Sequence, residues 1–255
     1  MHIAFFDSGI GGLTVLKEAL KIFPNEKYLY YADTDNVPYG TKKKNEVRDY
    51  IFNAVDFLLQ KNIEALVIAC NTATSIAIKD LRKKYNIPII GMEPAVKPAI
   101  EKCGNKRVLV TATPLTLAED KFENLVSKLK ADNIVDSLAL PGLVDFAENF
   151  TFEKSIIQDY LLEKLLPYDL DSYGTIVLGC THFVYYKSFF KEILPANINI
   201  IDGNKGTIKH LFKTLEMYNN KNTEKTSQIK DYKLEFFISG KKSESKHLYR
   251  YIKMQ

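Results

Sequence analysis

Glu64-Ala65-Leu66-Val67-Ile68-Ala69-Cys70-Asn71-Thr72 is the stretch from which the fold can be read. It is a short apolar run with β-branched residues that stops abruptly at polar helix-capping residues. Such a run reads as a buried strand feeding a helix. The second half of the chain repeats it as Thr175-Ile176-Val177-Leu178-Gly179-Cys180-Thr181-His182. Outward from the first stretch, residues 2–6 and 28–32 read as strands. Leu13, Leu16, Leu20 and Phe23 recur at helical spacing until Pro24-Asn25, and Val47, Tyr50, Ala54 and Phe57 mark a second amphipathic helix. The helix after Cys70 is expected to run to about Tyr85, and Pro88-Ile89-Ile90 to open another strand.

The pattern then restarts. Residues 107–111, 175–179 and 198–201 read as strands, 134–140 as extended, and 114–130, 155–166 and 206–218 as helices. Residues 219–231 are polar and read as a surface loop. Residues 234–238 form a last strand before a short terminal helix. Strand–helix alternation implies right-handed βαβ units. The fold class is therefore α/β: two similar domains, each a mostly parallel sheet flanked by helices, with the active site in the interdomain cleft. Glu93-Pro94 and Lys97-Pro98 disfavour helix before each proline and suit an extended crossover. Asp202-Gly203-Asn204 suits the return crossing. The expected division is 1–94 plus 210–255 for the first, discontinuous domain and 95–209 for the second.

Composition narrows the class. The chain has 255 residues, 46% apolar and 26% charged, as in an ordinary globular protein. A formal charge of +4, with scattered lysines and no basic stripe, gives no support to nucleic-acid binding. The N-terminal Met1-His2-Ile3-Ala4-Phe5-Phe6-Asp7 lacks the basic and apolar regions of a secretory signal, and no apolar run approaches a membrane span. Three cysteines do not make a disulfide framework, so a reducing cytoplasm is expected.

Asp7-Ser8-Gly9-Ile10-Gly11-Gly12 lies between a strand and a helix. It is not a dinucleotide fingerprint, because the third glycine would fall at Thr14. It fits a tight structural turn, or a turn that lets backbone approach an anion. Asp7 at a strand end must be paired, solvated or functional. Cys70, at a helix start, would have its thiolate stabilised by free N–H groups. Taken alone it equally fits a buried inert thiol. Cys180 repeats the placement, with His182 two residues on. The Cys-Thr-His spacing lacks the companions of a zinc site, and Cys103 sits in a loop-like context, so no metal is expected. Two cysteines at equivalent strand ends suit removing a proton from one face of a carbon and returning one to the other. Asp7 and Glu148 are candidate tuners of one thiol and His182 of the other.

The stretches Phe6 to Leu16, Val37-Pro38-Tyr39-Gly40, Ala69-Cys70-Asn71-Thr72-Ala73 and Leu178-Gly179-Cys180-Thr181-His182, in this order, resemble the glutamate racemases of the aspartate/glutamate racemase superfamily. The resemblance implies an isomerase that needs no cofactor and supplies D-glutamate for peptidoglycan, hence cell-wall biogenesis and cell shape. It implies that Cys70 and Cys180 are the catalytic thiols, with Asp7, Glu148 and His182 assisting, and places Glu148 near the first cysteine. It further implies that Asp7, Ser8, Tyr39, Gly40, Asn71, Thr72, Thr113, Thr116, Thr181 and His182 line the substrate site, and that the chain is a homodimer in the cytoplasm. An acidic amino acid such as aspartate is the alternative substrate. A non-catalytic binding or regulatory protein that keeps the cleft is the alternative of another class.

Overall fold

The computed structural model describes residues 1–218, 234–244 and 248–253; the polar loop expected at 219–231 lies outside them. The first half runs β1 (His2–Asp7), α1 (Leu13–Ile22), β2 (Lys27–Ala32), α2 (Lys44–Leu59), β3 (Ala65–Ile68), α3 (Asn71–Lys84), β4 (Ile89–Gly91) and α4 (Val96–Lys102). Then follow β5 (Arg107–Ala112), α5 (Pro114–Leu117), α6 (Asp120–Lys128), β6 (Val135–Ala139), α7 (Gly142–Glu148), α8 (Lys154–Leu165), β7 (Tyr173–Leu178), α9 (Lys187–Ile193) and β8 (Asn199–Asp202). The chain closes with α10 (Asn204–Tyr218), β9 (Leu234–Ile238), β10 (Lys241–Ser243) and α11 (Leu248–Lys253).

Two sheets result, ordered β10-β9-β2-β1-β3-β4 and β6-β5-β7-β8. Every pairing is parallel except that of β10 with β9. Parallel strands are covered on both faces and so read as continuous apolar runs. In β1, Ile3 and Phe5 face one core, while Ala4 and Phe6 face another built with α2 and α3. The first of these cores continues without a break into Leu109, Ile176, Leu178, Phe183 and Tyr186 of the four-stranded half. The strand at 234–238 lies beside β2 in the six-stranded sheet.

Several elements differ from the sequence expectation. The helix expected over 114–130 is two helices, because Glu119 caps the second in an extended conformation and pairs with Lys44 at 2.7 Å. The crossover at 93–98 becomes helical from Val96. Pro98 is only the third residue of α4, in the first turn, where no backbone N–H is needed. The division expected at 209/210 falls inside α10, which packs on α1 and on β4.

Candidate active site

Both expected thiols end strands, and both are buried. Cys70 leaves β3 and caps α3, its sulfur accepting the Ala73 N–H at 3.4 Å. Ser8 Oγ lies 3.7 Å from it. The expected thiolate stabilisation does not prevail. Burial pushes the Cys70 thiol up to about 12, the Asp7 charge adds to this, and the Ala73 N–H and the Ser8 hydroxyl oppose it. The Cys180 charge also contributes to the rise. Cys180 does not repeat the cap. A 3-10 turn, Thr181–Tyr186, follows it, and its sulfur lies 3.7 Å from His182 Nδ1 instead.

His182 is buried, and its Nε2 lies 2.6 Å from Glu148 Oε1. Burial alone would lower the imidazole. The bonds to Cys180 and Glu148 outweigh it and hold His182 well above its ordinary value. Glu148, the last residue of α7, also accepts the Ile10 N–H at 2.8 Å. Its carboxylate thus contacts His182, the neighbour of Cys180, where the expectation set it near the first cysteine. Asp7 is fully buried at the end of β1. It accepts Gly9 N–H at 3.0 Å and the Thr181 hydroxyl at 3.3 Å. Burial raises its carboxyl, while the His182 charge and the Gly9 and Gly12 N–H groups oppose the rise.

The turn after Asp7 is glycine-rich because side chains fill the space a Cβ would need. At Gly9 a Cβ would sit 1.8 Å from Glu148 Oε1, and at Gly11 it would sit 2.5 Å from His182 Nδ1. Tyr30 and Tyr185 hold the other side of this turn, donating to the carbonyls of Gly9 at 2.7 Å and Ile10 at 2.9 Å. On the opposite side of the site, the hydroxyls of Thr72, Thr113 and Thr116 form a triangle with edges of 2.9 to 3.0 Å. Gly40 packs against Thr113, with room for no Cβ. Tyr39 gives its hydroxyl to Asp33 at 2.5 Å, and Asn71 reaches the Met92 carbonyl at 3.4 Å. The expected site residues thus fall into one group around the two sulfurs and one around the threonines. Among the described residues no cluster of three or more His, Cys, Asp or Glu is arranged to hold a metal ion.

Sequence reasoning missed Asp33, Tyr30 and Tyr185. Asp33 had a signal, since it follows β2 just as Asp7 ends the neighbouring β1, and its N–H bonds the Asp7 carbonyl at 3.1 Å. Nothing in the local sequence marks the two tyrosines.

Two parallel sheets with a buried thiol at a strand end in each half, one beside a carboxylate and the other beside a His–Glu pair, define an α/β isomerase of the racemase class. The sequence pattern of the family described as Asp/Glu/hydantoin racemase matches residues 14–211. The chain belongs to this family. A glutamate racemase of Halothermothrix orenii is 61% identical over 244 residues, 96% of this chain and 95% of the relative. The solved glutamate racemase of Campylobacter jejuni superposes with a TM-score of 0.82 at 28% identity, covering 99% of this chain and 97% of that one. That of Francisella tularensis, solved with D-glutamate, gives 0.79 at 28% identity, covering 92% and 87%.

Proposed function

We propose that the chain interconverts L- and D-glutamate without a cofactor, with Cys70 removing the α-proton of D-glutamate and Cys180 that of L-glutamate. The observation that carries this reading is the presence of a buried thiol in each half, Cys70 beside Ser8 and the Ala73 N–H and Cys180 beside His182. Asp7 acts on Cys70 by its charge, and Glu148 acts on Cys180 through His182. A thiol held protonated by burial is ready to return a proton to a carbanion, and a dry site strengthens every dipole aimed at the developing charge. Ser8, Tyr39, Gly40, Asn71, Thr72, Thr113, Thr116 and Thr181 would line the substrate. The threonine hydroxyls would exchange their mutual bonds for a carboxylate. The glutamate racemases among the relatives, one bound to D-glutamate, support this substrate. Aspartate is shorter by one methylene, a difference that a pocket discriminates by roughly 1–3 kcal/mol.

In this reading the product is D-glutamate for peptidoglycan, made in the cytoplasm by a homodimer. The domains divide as 1–94 with the C-terminal segment against the residues between. The place of β9 beside β2 supports this, with the second crossing moved to the start of α10. No helix among the described residues is long and apolar enough to cross a membrane. The test is exchange of the glutamate α-proton with solvent deuterium, followed for the intact chain and for Cys70→Ala and Cys180→Ala. The intact chain should exchange and racemise, and each variant should lose racemisation while staying folded. Full racemisation by Cys70→Ala would overturn the reading.

A further inference from the structure

The segment that follows Cys180 is held from outside the site. Its first carbonyl, that of Thr181, lies 3.4 Å from Thr14 Oγ1, and the same hydroxyl donates to the Gly11 carbonyl at 2.9 Å. Thr14 has one proton to give, shared between the two carbonyls with Gly11 the nearer. Asn204 Nδ2 donates to Thr14 Oγ1 at 3.0 Å, which occupies a lone pair and leaves the proton for the two carbonyls. Asn204 is 4% exposed, and its Oδ1 has no hydrogen-bond partner among the described residues. The amide is therefore held through its donor side alone. The other end of the segment is tied to the same place: Lys187 Nζ reaches Asp202 Oδ2 at 2.9 Å, and Asp202 Oδ1 accepts the Asn204 N–H at 3.2 Å. The two carbonyls that Thr14 clamps, Gly11 and Thr181, flank the contact where a Cβ at Gly11 would meet His182 Nδ1 at 2.5 Å.

We propose that Asn204 is a positioning residue that, through Thr14, fixes Thr181 and His182 against Cys180. This rests on the two-thiol reading above; the clamp bears first on the residues that follow Cys180, and reaches the Asp7 side only through the Thr181 hydroxyl. Racemisation has an equilibrium constant of one, so kcat/KM must fall equally in both directions when the Cys180 side is disturbed. The primary isotope effects need not. Loss of the clamp raises the barrier at which Cys180 takes the proton of L-glutamate. The isotope effect with α-deuterated L-glutamate then rises, and that with α-deuterated D-glutamate falls.

The experiment measures both isotope effects in the full chain and in Asn204→Leu, Thr14→Val and Thr14→Ser. Asn204→Leu and Thr14→Val should lower kcat roughly five- to tenfold, the size of one net hydrogen bond, and split the two isotope effects in that sense. Thr14→Ser keeps the hydroxyl and should restore the wild-type pattern. An isotope effect is a ratio within each preparation, so partial misfolding does not alter it. Unsplit isotope effects in both Asn204→Leu and Thr14→Val would overturn the assignment of Asn204 while leaving the two-thiol reading intact. Absence of α-proton exchange in the unmodified chain would overturn that reading and this inference with it.

Discussion

Glu148→Gln should uncouple His182 from its charge partner without emptying the space. Glu148 Oε1 accepts two bonds, from Ile10 N at 2.8 Å and with His182 Nε2 at 2.6 Å. A glutamine oxygen can still accept both, but as a neutral group. A hydrogen bond to a charged group contributes roughly 1.5–3 kcal/mol and a neutral one roughly 0.5–1.5. Two such exchanges at a buried site cost about 2–3 kcal/mol. The change also removes two of the influences that raise His182, its bond to Glu148 and the Glu148 charge, and leaves the interactions with Cys180 to oppose burial, the largest influence. In the unmodified chain the folded His182 is raised. Its stabilising contribution is therefore complete below the ordinary imidazole value of 6.5 and is lost as pH rises through the raised folded value. Urea unfolding at a series of pH values should show the gap between Glu148→Gln and the parent widest near about pH 6 and shrinking on the alkaline side. NMR of the His182 ring protons should show its titration moving down. A gap that does not change with pH, or an unmoved His182, would refute the coupling.

Gly9→Ala should lower kcat by about a hundredfold. Its Cβ would lie 1.8 Å from Glu148 Oε1, so the carboxylate must leave both partners, and a misplacement of about 1 Å near reacting groups has that scale. Wild-type kcat in a folded Gly9→Ala chain would contradict the packing described for this turn. Alkylation of Cys70 by iodoacetamide, followed by peptide mapping, should speed up about tenfold per pH unit between about pH 7 and 10, because its thiol is pushed up to about 12. A plateau near about pH 9 would mean that burial does not govern this thiol.

Both sulfurs were legible because each ends an apolar strand before a polar cap, a pattern local to a few residues. Their differing surroundings were not legible. The Cys70 and Cys180 stretches look alike, yet one sulfur caps a helix and the other faces a histidine across a 3-10 turn. The contact of Glu148 with His182 was not legible, because α7 is short and weakly patterned and the partner lies 34 residues away. Asn204 and Tyr185 meet residues 190 and 175 positions distant, beyond any periodicity. The proline rule failed at Lys97, which is helical before Pro98; Pro98 falls in the first helical turn, where no backbone N–H is needed.

The bonds that join the two halves are unevenly distributed around the site. Beside Asp7 the turn is fastened to the four-stranded half by Glu148, Tyr185 and Thr181, over a core that runs through both sheets. On the threonine side the halves meet through Gly40 against Thr113, the Thr72 hydroxyl and the Lys44–Glu119 ion pair, whose lysine is half exposed. The molecule is built like a bound book, with its spine at the Asp7 turn and its fore-edge at the threonines. The fore-edge contacts are largely hydroxyl and charge contacts that water or a carboxylate can replace, with Leu115 packed beside them. The spine is held by bonds over a continuous apolar core, so it is the harder of the two sides to part.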